Sequence, residues 1–138
     1  MTKIFYVLLF GMMILAFSSD YVLVRYSYYT AGEAIDHGID AGIIKAGIIT
    51  DAQEGYVQLE ERSLRQAVRS AFRDNMKMDD NLEKPFMHNT TFDLKLIYDS
   101  NNVPWIEVTF LTHVSFVIHG VEYPVYVHRK IAYESIYK

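Results

Sequence analysis

The 138-residue chain contains no cysteine, so it forms no disulfide and offers no thiol for catalysis or metal binding. It also has no excess of basic residues, since 13 lysines and arginines stand against 17 acidic residues and give a formal net charge of −4. That balance provides no general attraction to nucleic acid or to anionic lipid. A nucleic-acid partner is therefore not expected.

Motifs of enzymes and metal proteins are missing as well. The sequence has no glycine-rich phosphate loop, no paired-carboxylate cleft and no serine-histidine-acid triad. His113 and His128 are close enough in the predicted sheet for a two-histidine site, but two ligands without a nearby carboxylate or cysteine make a weak metal site. We therefore predict a protein that is not an enzyme, with no catalytic site, no metal site and no cofactor.

What the sequence does contain is a long apolar stretch at its start, from Ile4 to Val24. At about 1.5 Å of rise per residue this stretch spans roughly 31 Å as a helix, which is close to the thickness of a bilayer's hydrocarbon core. The polar triplet Ser18-Ser19-Asp20 interrupts it before apolar character resumes. The residues predicted to form a membrane anchor are Ile4, Leu8, Leu9, Met12, Leu15 and Val24.

Two interpretations of residues 1–25 stay open. In one they are a transmembrane anchor; in the other Ile4 to Phe17 is the core of a signal peptide that is cleaved after Ala16-Phe17-Ser18. The anchor is favoured because the apolar run restarts after Asp20 and leads directly into a second helical pattern. The few lysines and arginines at its two ends favour a single-pass membrane protein with the C-terminal domain outside the cytoplasm. An exported domain without disulfides suits a bacterial envelope.

Residues 26–55 are predicted to form a helical extension that is rich in small residues. Apolar side chains at Ile35, Ile39 and Ile43 follow a helical spacing from Thr30 to about Ile49. Beside them lies a ladder of small residues at successive turns, which predicts close packing against another helix. The ladder consists of Ala34, Gly38, Gly42 and Ala46. The alternative is a poor helix or a glycine-rich turn region.

Residues 56–138 are predicted to form an extracytoplasmic domain, beginning with an amphipathic helix from Tyr56 to Met76. One face of that helix is apolar and the opposite face carries a stripe of arginines that either docks an acidic partner or is simply solvated. The stripe consists of Arg62, Arg65, Arg69 and Arg73. Glu61 and Arg65 form a favourable pair four residues apart.

From Thr91 onward the apolar period changes to two, which predicts a three-stranded antiparallel meander with one apolar face. A two-residue turn at His119-Gly120 would pair Ile118 with Val121, and the first hairpin would pair Tyr98 with Ile106. Pro124 falls on the outward face of the last strand, which suggests an edge strand. The predicted fold class is α+β: a long N-terminal helix, an amphipathic helix and this meander.

The apolar start from Ile4 to Val24, followed by the ladder at Ala34, Gly38, Gly42 and Ala46 and then a small sheet domain, resembles a pilin-type subunit. More narrowly it resembles the TadE-like minor pilins. The likeness covers about the first fifty residues and the order of the elements. The glutamate near the start of type IV pilin helices has no counterpart, because the first glutamate of this chain is Glu33.

This resemblance implies a structural subunit of a pilus-like, secretion or conjugation assembly, whose partners are the membrane and other copies of itself or other pilin-like subunits. We expect the subunit to pack into that assembly through the ladder of its N-terminal helix and to present the sheet domain outside. The alternative from a different class is an exported ligand- or peptide-binding module. Its signal peptide would be cleaved, and the tyrosine- and histidine-rich outward face of the meander would be its ligand surface.

Overall fold

The computed structural model describes residues 1–51, 56–118 and 120–133, and the side chains of all of these except 46–51 and 56–58. Its elements in chain order are α1 (Thr2–Ala46), β1 (Gly47–Asp51), β2 (Tyr56–Leu59), α2 (Glu61–Met76), β3 (Met87–Tyr98), β4 (Pro104–Ser115) and β5 (Glu122–Ala132). Strands β1 and β2 form a small antiparallel pair, while β3, β4 and β5 form a separate antiparallel meander in that order. The predicted α+β class is confirmed.

The two helical patterns at the start of the chain merge into one helix, α1, of 45 residues. Such a helix is about 68 Å long, well beyond the thickness of a bilayer. The prediction that helix continues to about Ile49 is wrong, since Gly47–Asp51 is a strand. Glycine disfavours helix interiors and the β-branched Ile48 and Ile49 favour a strand, so the change occurs where both preferences coincide.

Helix α2 begins later than predicted. Residues Tyr56–Leu59 pair with β1 instead of opening the helix, because an aromatic and a β-branched residue fit a strand once a partner strand is present. The helix ends at Met76, after which Lys77 adopts a left-handed backbone with φ of 54° and donates its N–H to the carbonyls of Arg73 and Asp74. That arrangement satisfies carbonyls that the last turn would otherwise leave free.

Both hairpins of the meander differ from the predicted register by two residues. Leu96 lies opposite Ile106, and Val114 lies opposite Tyr123. Since side chains alternate between faces with a period of two, the shift changes each partner but keeps every apolar side chain on the predicted face. The connections explain the difference. Asp99 donates its N–H to the carbonyl of Val103 to close the first turn, and the second connection is longer than the two-residue turn at His119-Gly120; His119 itself lies outside the described residues.

The apolar face of the meander is covered by both helices, which together with it form one hydrophobic core. Ile35, Ile39 and Ile43 of α1 belong to this core, so the second half of α1 packs within the sheet domain. Phe72 of α2 and Phe110 of β4 pack together within it, with ring centroids 4.8 Å apart and ring planes inclined at 58°. The first half of α1 projects away from this core.

Candidate membrane anchor and helix-packing surface

Helix α1 changes character at Asp20. From Thr2 to Ser19 every residue is exposed except Ala16, which is half-buried. The large apolar side chains on this segment have no protein cover in the described chain, and they include the predicted anchor residues Ile4, Leu8, Leu9, Met12 and Leu15. The helix is long and apolar enough to cross a membrane, with a mean hydropathy of 2.0 in its most apolar window, although a signal sequence meets the same criterion. We call Thr2 to Ser19 the exposed segment.

Val24 lies elsewhere. It is half-buried and packs against the hydrophobic core together with Leu23. The sequence groups Val24 with the anchor because it ends the apolar run, but the structure places it beside the sheet domain. Four residues earlier, on the same side of the helix, stands Asp20.

Asp20 joins the helix to the meander. Its side chain is only 3% exposed, and its Oδ1 accepts the backbone N–H of Val117 at 3.0 Å. Among the described residues its Oδ2 has no hydrogen-bond partner. Residues 97 positions apart therefore meet at the point where the exposed segment ends. The sequence carries no signal for this bond, since neither periodicity nor spacing relates a helix residue to a distant turn.

The two glycines of the ladder lie against α2 of the same chain. Ala34 is buried, and a Cβ added to Gly38 would come within 3.2 Å of the carbonyl oxygen of Val68. A Cβ on Gly42 would overlap Val68 Cγ2 and reach within 3.3 Å of Leu64 Cδ1. Ala46 is the last residue of α1, and its side chain lies outside the described part. The glycines thus allow two helix axes of one domain to approach closely.

Three of the four arginines in the stripe of α2 form hydrogen bonds within the domain. Arg65 donates from Nη2 to Glu61 Oε1 at 3.0 Å and to the carbonyl of Leu94 on β3 at 2.8 Å. Arg69 and Arg73 reach the backbone oxygen and the carboxylate of Asp80, respectively, at 2.8 and 2.7 Å. The predicted pair of Glu61 with Arg65 is confirmed. These bonds connect α2 to the sheet and to the connection that follows it, so these three side chains have partners within the domain.

The outward face of the meander holds an acid–base pair. His128 Nε2 lies 2.7 Å from Glu107 Oε1, and this hydrogen bond lowers the pKa of the Glu107 carboxyl. His128 stands opposite Thr109 in the observed register, so the predicted proximity to His113 is wrong by the same two-residue shift. In the described ranges no group of three or more histidine, aspartate or glutamate side chains is arranged to hold a metal ion.

Comparison of the chain with protein-family models, with curated proteins and with solved structures finds no match. The architecture itself is pilin-like: a long N-terminal apolar helix is followed by a small antiparallel sheet. The exposed segment is suited to a membrane or to packing against a partner.

Proposed function

We propose that this protein is a non-enzymatic, membrane-anchored structural subunit of a pilus-like or envelope secretion or conjugation assembly, similar to the TadE-like minor pilins. The observation that carries the proposal is the exposed segment, which continues without a break into the helix that fills the domain's core. A rigid connection of this kind fixes the sheet domain at a set distance and orientation relative to the anchor.

The free energy of removing apolar side chains from water favours an apolar environment for the exposed segment. Full burial of one Leu, Ile, Phe or Met side chain is worth about 1.5–3 kcal/mol. The large side chains from Ile4 to Phe17 are about half to two-thirds exposed, so covering all of them is worth on the order of 10–20 kcal/mol. A soluble monomer would forgo that stabilisation, whereas a lipid bilayer or a bundle of neighbouring helices supplies it.

Contacts between subunits would use the exposed side of α1 instead of the ladder. Gly38 and Gly42 are covered by α2 and are not accessible to another helix. Phe17, Tyr21 and Val22 are exposed around the level of Asp20 and extend the apolar surface of the exposed segment toward the domain. Neighbouring copies or other pilin-like subunits would pack there.

The second candidate is an exported ligand- or peptide-binding module. It is favoured by one observation: the exposed segment ends at Ser19, directly after the predicted cleavage motif Ala16-Phe17-Ser18. Removal of those residues would leave the whole core in place. The outward face of the meander, with Tyr126 and His128 exposed, would then be the ligand surface.

The mass of the N-terminal peptide from cells separates these functions. An intact Met1 or Thr2 supports the anchor, an N-terminus at Ser19 supports the exported module, and one near Met12 indicates prepilin-type processing. A protein that begins at Ser19 and remains in the soluble fraction refutes the membrane anchor.

Assembly is tested separately by crosslinking introduced cysteines in cells. The chain has no cysteine of its own, so any crosslink to this chain forms at the introduced residue. Phe17→Cys places a thiol on the exposed side of α1, and Ala34→Cys places one in the core as a matched control. We expect crosslinked oligomers with Phe17→Cys and none with Ala34→Cys. If both variants remain monomeric, the proposed assembly is refuted, whereas the proposed membrane anchor is not affected.

A further inference from the structure

We propose that the connection between β4 and β5 is a second membrane contact, in which residues 116–118 and 120–121 rest in the interfacial layer of the bilayer beside α1. We call these residues the tip. The inference rests on the proposed function, because it requires the exposed segment to be in lipid. His119 lies outside the described residues.

The position of the tip follows from two contacts. The backbone N–H of Val117 donates a hydrogen bond to Asp20. On β5, the Nε atom of Arg129 lies 3.4 Å from Asp36 Oδ1. From Val117 to Arg129 the chain turns and then follows β5, while from Asp20 to Asp36 it follows α1. Sixteen helical residues advance about 24 Å, and the eight residues from Val121 to Arg129 advance about 26 Å as a strand. Strand β5 therefore runs beside α1 in the same direction, and the tip is at the anchor end of the domain.

The tip is apolar and open. Val117, Ile118 and Val121 are all exposed, and the five residues of the tip include no ionisable side chain. Directly behind them Phe116 and Tyr123 stack with ring centroids 6.3 Å apart, and Tyr123 is also exposed. Aromatic rings with a polar atom are enriched at the level of lipid headgroups. An apolar turn backed by such a ring is the composition expected of a segment that dips into the interface.

The length of the anchor points to the same conclusion. The uncharged stretch from Ile4 to Ser19 spans about 24 Å, several ångströms less than a typical hydrocarbon core of about 30 Å. A bilayer that covers this stretch fully reaches the level of Asp20 or slightly beyond it. At that level Leu23 and Val24 face the domain core, so the surface available to lipid is the outer side of α1 together with the tip.

A position at the edge of the hydrocarbon layer would explain why the side chain of Asp20 is buried. A charged side chain in contact with acyl chains costs several kcal/mol. Asp20 is withdrawn from the surface and accepts the backbone N–H of Val117, so the tip separates its carboxyl from the surroundings. The acidic residue that interrupts the apolar sequence can therefore sit at the edge of the hydrocarbon layer.

The test uses the full chain carrying one introduced cysteine, labelled with an environment-sensitive fluorophore and reconstituted into phosphatidylcholine–phosphatidylglycerol vesicles. Ile118→Cys reports on the tip, and Val121→Cys is a second tip site in case the first disturbs folding. Ile97→Cys is the matched control, because it replaces the same residue type at nearly the same exposure, 40% against 44%, at the opposite end of the meander. Leu8→Cys reports on the anchor. Quenching is measured with nitroxide lipids and with aqueous iodide.

We expect the tip label to lose most of its fluorescence to a nitroxide near the headgroup end of the acyl chain and little to iodide, with the reverse pattern at Ile97→Cys. Equal iodide quenching at the tip and at Ile97→Cys, with Leu8→Cys quenched by lipid, overturns the tip contact and leaves the anchor. Protection from iodide without lipid quenching means that protein covers the tip, which also overturns the proposal. Absence of lipid quenching at Leu8→Cys overturns the anchor and the tip contact together.

Discussion

Substitution of Gly42 by alanine tests the close approach of α1 and α2. The new methyl group would overlap Val68 Cγ2, and Val68 has little freedom to move because a β-branched side chain on a helix strongly prefers one rotamer. Overpacking of a core costs about 1–3 kcal/mol, while alanine gains about 1 kcal/mol over glycine in helix propensity. We therefore expect Gly42→Ala to lower the free energy of unfolding by about 1 kcal/mol. Gly42→Leu, which adds three more carbons to the same space, should lower it by more than about 3 kcal/mol.

Gly32→Ala is the matched control on the same helix. Its Cβ would lie 2.6 Å from Arg129 Nη2, which is the end of a long, half-exposed side chain that can swing aside. Displacing Arg129 weakens its ion pair with Asp36, a surface pair worth about 0–1 kcal/mol. The gain in helix propensity offsets that loss, so we expect Gly32→Ala to be neutral or to stabilise the domain slightly.

The assay is urea unfolding of the full chain in detergent micelles, followed by the fluorescence of Trp105, the single tryptophan. A double-mutant cycle with Val68→Ala isolates the steric contact. Because Val68→Ala removes the methyl groups that the new side chain of Gly42→Ala would meet, the two losses should be non-additive by about 0.5–3 kcal/mol. If Gly42→Ala stabilises the domain as much as Gly32→Ala does, the helices are not in close contact at Gly42 and the proposed packing is refuted.

Three further predictions concern single contacts. Asp20→Ala should reduce the protection of the Val117 amide from hydrogen exchange, while Asp20→Asn, which keeps an acceptor, should preserve it; equal protection in both refutes the bond. His128→Ala should raise the pKa of Glu107 toward its ordinary value of 4.5, as read by NMR titration. Because folding lowers the pKa of Glu107, the pair stabilises the fold above pH 4.5, and this contribution is lost as the pH falls through the folded-state pKa. On acidification His128→Ala should therefore lose less stability than the unsubstituted protein does. Lys77→Gly should raise the free energy of unfolding by about 1 kcal/mol, since only glycine adopts the left-handed backbone at this position without strain; a decrease would contradict the cap geometry.

The faces of the meander were predictable from sequence, but its register was not. A period of two decides which side chains point inward, and that decision survives a shift of two residues. The register depends on the turns. Asp99 closes the first turn by accepting the backbone N–H groups of Asn101 and Val103 and the indole N–H of Trp105, and these bonds lower the pKa of its carboxyl. Patterning of apolar residues does not report such bonds.

The ladder shows a different limit of the sequence. Its spacing indicated close helix packing, yet spacing does not say which helix is the partner. Val68 and Leu64 of α2 occupy the space beside Gly42, so the partner lies in the same chain. Similarly, the strand at Tyr56–Leu59 replaced predicted helix because a partner strand, β1, was available. In both cases a contact between distant residues decided the outcome.

Because α1 changes from exposed to core-forming at Asp20, the residues before Asp20 decide whether the protein is an anchored subunit or an exported module. The core of the sheet domain uses Ile35, Ile39 and Ile43, so a chain that lacked the second half of α1 would expose the apolar face of the meander. Processing after Ser18 or near Met12 removes no residue of the hydrophobic core and leaves that core intact. The same folded domain is therefore compatible with an anchored subunit and with an exported module. The state of the exposed segment in the cell, and not the stability of the domain, distinguishes the two functions.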